Sequence, residues 1–183
     1  MLIGKNLAFK VVTPEDYPLI AKWFSDPNYM GNYYNIWPQT QNQMQRLSEE
    51  TKGRGFYLIV SQEEKQAMGT IGYFNPFTYQ GHQGLEIWYQ VHPDFRNKGV
   101  ATQAACLLIN HLFDATPTER IQATVVIGNE ASCRVLEKAG MQREGIYRRV
   151  SFLHGRYVDL HLYSIVRSDW KDEQTYRQTC PEF

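Results

Sequence analysis

Residues 84–103 read GLEIWYQVHPDFRNKGVATQ, and the rest of the chain is arranged about them. Leu85, Ile87, Tyr89 and Val91 alternate with Glu86, Trp88 and Gln90. Both resulting faces are largely apolar, which predicts a central strand covered on both sides. His92-Pro93-Asp94 stops it, because Pro93 has no N–H to give to a ladder. Arg96-Asn97-Lys98-Gly99-Val100-Ala101 then leads into a long helical pattern. A strand, a short basic loop with a glycine and a helix start together make an anion site. The first helical turn leaves backbone N–H groups unpaired, and the helix dipole favours negative charge there. Gly99 lets a ligand come close to the backbone.

Composition narrows the partners. A chain of 183 residues fits one domain with a sizeable core, here taken as 1–183. The formal net charge is zero, so neither nucleic acid nor an anionic membrane is expected as a partner. No apolar run reaches the roughly 18 residues needed to span a bilayer. The start, MLIGKNLAFKVV, lacks the run and cleavage pattern of a secretory signal. Cys106, Cys133 and Cys180 are widely spaced and odd in number. That suits a reducing cytoplasm, no metal site and three unpaired cysteines.

Residues 7–12 read as a first strand. Thr13-Pro14-Glu15-Asp16 then starts a helix whose inner face is Tyr17, Ile20, Ala21 and Phe24, ended by Asp26-Pro27. Residues 28–38 gather Tyr29, Met30, Tyr33, Tyr34, Ile36 and Trp37 with few charges. They are either a loop tucked beneath the core or the wall of a pocket, since pockets are lined by aromatics. Thr40 and Gln43 have the spacing of a capping box for a second helix with Met44 and Leu47 inward. Residues 56–61 and 67–74 form a hairpin, with Gly69 and Gly72 marking a bulge or a close backbone contact. Beyond the basic loop, Val100, Ala104, Leu107, Leu108 and Leu112 make one apolar stripe. Residues 120–127 are a strand. A helix opened by Gly128-Asn129 follows, stopping at Lys138-Ala139-Gly140. Residues 141–150 and 156–166 pair about a turn at His154-Gly155, and the tail from Ser168 is expected to fray. The sum is an α/β (α+β) domain: a mixed, mostly antiparallel central sheet of about seven strands with helices on both faces.

Arg96, Gly99 and Ala101 fill the pattern [RQ]xxGx[GA], and that loop resembles the acyl-CoA pyrophosphate loop of the GCN5-related N-acetyltransferases, the GNAT superfamily. A second segment, Asn129-Glu130-Ala131-Ser132-Cys133-Arg134-Val135-Leu136-Glu137-Lys138-Ala139-Gly140-Met141, is similar to the NxxSxxvlEKxGF segment of its RimJ/RimL-like branch, with Met141 where that branch has Phe. GLEIWYQVHPDFRNKGVAT resembles aEIGYxLxPxxxGKGyATEA, with Trp88 in place of a glycine and Gln103 in place of an acid. Gly155, Asp159 and Tyr163 match toward the C-terminus.

The resemblance implies acetyl-CoA as co-substrate, no metal, and direct acetyl transfer to a primary amine on a small molecule or a protein N-terminus, ribosomal proteins included. It implies that Arg96, Asn97, Lys98, Gly99, Val100, Ala101 and Thr102 hold the pyrophosphate. The pantetheine arm would lie between splayed strand ends at Tyr89–Val91 and 125–127, with an amide near Val91 as oxyanion donor. Asn129 would bond the pantetheine amide, and Ser132 would donate to the coenzyme sulfur. Glu86, a carboxylate in an apolar strand, is either the general base or a structural carboxylate bonded to a neighbouring strand. Tyr33 and Trp37 are the substrate-wall candidates. Two other readings stay open: a small-molecule acetyltransferase acting on antibiotics, polyamines or metabolites, and a non-catalytic acyl-CoA-binding domain. The sequence leaves monomer and homodimer equally open.

Overall fold

The computed structural model describes residues 2–36, 40, 42–43, 45, 54–76, 84–171 and 180. In chain order these give strands β1 (Leu2–Ile3) and β2 (Leu7–Val11), helices α1 (Tyr17–Phe24) and α2 (Pro27–Met30), and strands β3 (Arg54–Ser61), β4 (Ala67–Phe74) and β5 (Gly84–Val91). There follow α3 (Val100–Ala115), β6 (Arg120–Val126), α4 (Glu130–Lys138), β7 (Gln142–Leu153), β8 (Arg156–Val166) and α5 (Arg167–Lys171).

The strands form one eight-stranded sheet in the order β1-β2-β3-β4-β5-β6-β8-β7. Every neighbouring pair is antiparallel except β5 and β6. The strand beyond the expected set is β1, which sets Leu2 opposite Phe9. Strand alternation sorts the core into two layers. Leu85, Ile87 and Val91 of β5 join Ile121, Ala123 and Val125 of β6 beneath α3 and α4, where Leu108, Ile109 and Leu136 are fully buried. Phe56, Leu58 and Val60 of β3 take the opposite face, with Ile20, Trp23 and Tyr29 of α1 and α2. A central strand with two apolar faces thus has a helical layer on each.

Local chemistry explains the entry and the joints. Asp16 closes a capping box, accepting from Thr13 N at 2.9 Å and Thr13 Oγ1 at 3.0 Å while pairing with Lys10 at 2.6 Å. Asp26 does more than end α1: its Oδ1 accepts from Asn28 N at 2.9 Å and so caps α2. In β4 the register slips between Ile59 and Val60 of the partner strand, leaving Met68 as an extra residue. Gly69 is required there, because a Cβ would stand 2.3 Å from Gln90 O. Thr40 N and Gln43 Oε1 meet at 2.8 Å, as a capping box requires. The expected inward residues Met44 and Leu47 lie outside the described residues.

Two expectations are corrected. Up to Lys171 the chain after Ser168 does not fray, because α5 continues directly from β8; apart from Cys180, the rest of the tail lies outside the described residues. Trp170 of α5 stacks on Phe113 at 5.4 Å and donates to Asn110 Oδ1 at 2.7 Å. Arg167 donates to the carbonyls of Phe113, Thr116 and Thr118, satisfying groups that the end of α3 leaves open. Nor are all three cysteines unpaired. Cys106 of α3 and Cys180 are joined in a buried disulfide across 74 residues, and Cys133 alone is free and buried. Sequence spacing hid this pair, because the two cysteines are 74 residues apart and meet only in the folded chain.

Candidate active site

The parallel ladder between β5 and β6 runs only from Gly84 opposite Arg120 to Glu86 opposite Gln122. Beyond that point β5 continues to Val91 beside β4, and β6 continues to Val126 beside β8. The two central strands therefore splay and leave a gap. His92 N donates to Met68 O at 2.8 Å, which fixes the phase of the β4–β5 ladder. Alternation along an antiparallel pair then turns the peptide groups of Tyr89 and Val91 away from β4 and into the gap.

A cavity of about 380 Å³ passes through this opening. On the α1 side its lining includes Glu86, Trp88, Tyr33, Tyr34 and Asn35; on the α4 side it includes Tyr89, Asn129 and Ser132. Five of the residues expected from sequence are thus brought to one place: Glu86, Tyr89, Asn129, Ser132 and Tyr33. Trp37 lies outside the described residues.

Glu86 is held by β6. Gln122 Nε2 donates to its Oε2 and Thr124 Oγ1 to its Oε1, both at 2.9 Å. Arg120 Nε lies 3.4 Å from Gln122 Oε1, which directs the amide's NH2 at the carboxylate. Glu86 is therefore both a bonded structural carboxylate and part of the cavity wall. Each oxygen still has a lone pair for a further donor. Gln122 and Thr124 went unnoticed in the sequence, although two polar residues at i and i+2 in RIQATVV were a usable sign of a polar partner on that face.

The aromatic segment after α2 is divided between core and cavity. Tyr29 is fully buried, with its hydroxyl 3.0 Å from Thr70 Oγ1 and donating to Gln90 O at 3.1 Å. Tyr33 reaches across the gap to donate to Gly128 O at 2.8 Å. Asn35 accepts from His154 N at 3.2 Å and donates to Phe152 O at 2.6 Å, which ties the segment to the β7–β8 turn. Tyr34 is 43 % exposed, yet it also contributes to the lining. Burial there, reinforced by the charge of Glu86, raises its pKa. No residue type or spacing had set Tyr34 apart from its neighbours.

On the other side, Tyr89 Oη lies 2.9 Å from Ser132 Oγ. Burial raises the pKa of this phenol. Asn129 Oδ1 accepts from Ser132 N at 3.2 Å, capping α4. Its amide NH2 is the end chemically suited to a carbonyl.

Between β5 and α3, Asn97 and Gly99 both take positive φ, 60° and 78°. Gly99 is needed for that conformation more than for space, since a Cβ there would meet only Gln103 Nε2 at 3.6 Å. The N-terminus of α3 has no side-chain cap and no acid in its first turn. The amides of Val100, Ala101 and Thr102 are thus without intrahelical partners, beside Lys98. This donor set fits an anionic group such as a pyrophosphate. Arg96, expected among the phosphate contacts, has another placement. Its Nε donates to Val91 O at 3.0 Å, and its Nη2 donates to Asn28 O and Tyr29 O at 2.9 and 2.6 Å. The guanidinium ties the loop to α2. Asp159 accepts from Arg149 N at 2.7 Å and steadies a bulge in β7.

Comparison with known proteins agrees with this geometry. Residues 6–142 match the family model described as an acetyltransferase (GNAT) domain. The chain is 28% identical over 177 residues to the uncharacterized N-acetyltransferase p20 of Bacillus licheniformis, covering 92% of this chain and 97% of that one. Its fold matches the spermidine N-acetyltransferase of Vibrio cholerae, solved with CoA and spermine, at TM-score 0.79 and 18% identity over 91% of this chain and 98% of that one. It also matches a ribosomal-protein-S5-alanine acetyltransferase from Vibrio fischeri at TM-score 0.79 and 20% identity, over 91% and 96% of the two chains.

Proposed function

The chain belongs to the GNAT family and is an acetyl-CoA-dependent N-acetyltransferase; from that premise we propose that it acetylates a single primary amine, that of a protein N-terminus, entering the cavity on the Glu86 side. The observation that carries this reading is the splay beyond Glu86 and Gln122, which joins a carboxylate on one face of the sheet to hydroxyls on the other. Glu86 is the one carboxylate among the described lining residues, beside Tyr33, Tyr34 and Trp88. That set suits one cationic amine on an uncharged or aromatic body better than a polyamine with several charges. The whole chain acts as one transferase domain, and no described helix is long and apolar enough to cross a membrane.

Acetyl-CoA supplies the activated acetyl group. The amides of Val100, Ala101 and Thr102, with Asn97, Lys98 and Gly99, would hold its pyrophosphate, and the Asn129 amide would donate to a pantetheine carbonyl. The Val91 N–H, turned into the gap, is the oxyanion donor. An α-amino group has a pKa of about 8 and a lysine amine about 10.4, so at neutral pH the attacking nitrogen must lose a proton. Glu86 accepts it, directly or through water, while Gln122 and Thr124 keep the carboxylate aimed.

Thermal unfolding with acetyl-CoA tests the donor side. Saturation at about 100 times the dissociation constant adds roughly 2.7 kcal/mol, or about 5–10 °C at this chain length. Gly99→Glu removes the rise. An acceptor panel of free-N-terminal peptides, spermidine and small amines tests the other side. Turnover confined to spermidine would replace the N-terminus with a polyamine as acceptor. Acetyl-CoA binding with no turnover of any amine would favour a binding domain.

A further inference from the structure

Two hydroxyls from distant segments meet on the α4 side of the gap. Tyr89 Oη lies 2.9 Å from Ser132 Oγ and 3.3 Å from Ser132 O. Both residues are half-buried and line the cavity. The Ser132 backbone is fixed by its N–H to Asn129 Oδ1. A serine in the first turn of a helix ordinarily turns its proton onto nearby backbone. Here a phenol faces the serine oxygen. A phenol is the stronger acid and an aliphatic alcohol the better acceptor, so the phenol donates in the shorter contact. Ser132 Oγ, once it accepts, directs its own proton away from Tyr89, and chained hydrogen bonds strengthen that second donation. Burial keeps the phenol protonated.

We propose that Tyr89 is a positioning residue: by donating to Ser132 Oγ it turns the serine proton into the gap, where it meets the sulfur of the departing thiol. The inference rests on the acetyl transfer described above. In that step the amine nitrogen bonds to the acetyl carbon and the carbon–sulfur bond breaks, its electron pair staying on sulfur. The ammonium gives its first proton to Glu86 and so to solvent before attack, and the second nitrogen proton, released as the amide forms, leaves by the same carboxylate. The thiolate accepts the Ser132 hydrogen bond and takes a proton from solvent as it leaves. Tyr89 gives up no proton.

The test has one readout in turnover and one independent of any acceptor. Tyr89→Phe lowers kcat about tenfold, the scale of one hydrogen bond to a charged group, while KM for acetyl-CoA stays within about twofold. Adding Tyr89→Phe to Ser132→Ala lowers kcat no further, because the phenol acts through the serine. The thiol of bound CoA, followed by its ultraviolet thiolate absorbance, titrates about one pH unit higher in either single variant than in wild type. Matching melting temperatures and CoA affinities establish that the variants fold. Additive losses of kcat, or the same thiol titration in wild type and Tyr89→Phe, overturn the proposal. A wild-type protein that turns over no amine, yet shows the thiol shift, sinks the acetyl-transfer reading and leaves the sulfur contact standing.

Discussion

Glu86 carries two obligations, and one substitution separates them. Its oxygens hold β6 through Gln122 and Thr124, while its free lone pairs face the cavity. Glu86→Gln preserves the shape and one acceptor oxygen but cannot take a proton. With a saturating reactive amine, kcat falls by about 10²-fold or more, the usual worth of a general base. KM for acetyl-CoA is unchanged, and the loss shrinks as rising pH deprotonates the amine without help. A steady-state pH profile of both proteins checks this; equal kcat would assign the carboxylate to structure alone. Gly69 carries a single obligation. A Cβ at that position would press on the backbone of β5 at Gln90 O, which has no side-chain freedom with which to yield. Gly69→Ala therefore lowers stability by about 1–3 kcal/mol, as overpacking does, read as the denaturation midpoint in urea. An unchanged midpoint would mean that β4 and β5 adjust freely.

Elements show why some of this was legible and some was not. The strand at residues 84–91, the loop after it and the stripe of α3 are local patterns, and local patterns survive in sequence. Glu86 stood out because a carboxylate in an apolar strand needs a partner. Its partners, Gln122 and Thr124, come from β6, 36 and 38 residues away, which no local pattern encodes. Tyr89 and Ser132 meet across 43 residues because α4 folds back over the splayed ends, so their contact is a property of the sheet order. Arg96 satisfied a motif, yet its side chain turned to α2, since three carbonyls lay within reach. The disulfide between α3 and Cys180 belongs to the same class, and it makes a prediction for that helix. Closing a loop of 74 residues removes denatured-chain entropy worth up to about 4.5 kcal/mol in the entropic account. Dithiothreitol or Cys180→Ser lowers the melting temperature, and the thiol count of the unfolded wild-type chain, one without reductant because Cys133 is otherwise buried, rises to three on reduction. A count of three before reduction would show that α3 is not tied.

The molecule as a whole has a formal net charge of zero, and two of its described carboxylates, Asp16 and Glu144, are held below their ordinary range. Asp16 is pushed up by burial, but its bonds to Lys10 and Thr13 outweigh that and leave its pKa lowered. Glu144 is held down to about 2 by its hydrogen bonds with Arg120, with Ser164 adding a further donor. Both joints lie away from the gap: one fixes β2 to the start of α1, the other ties β6, β7 and β8 together. A carboxylate whose folded pKa lies below its unfolded value contributes stability above the unfolded value, about 4.3 for Glu. That contribution disappears as pH falls through the folded value. For Glu144 the window runs from about 4.3 down to about 2. The side chain is 39% exposed, so solvent screening limits its worth at neutral pH to about 1 kcal/mol or less. Glu144→Gln therefore costs little at pH 7 and flattens the fall of stability with acid across that window, because one fewer proton is taken up on unfolding. Urea midpoints at pH 7, 5, 4 and 3 measure it. Wild-type and variant curves that run parallel from pH 5 to pH 3 would show that the Arg120–Glu144 bridge does not couple the outer strands to protonation.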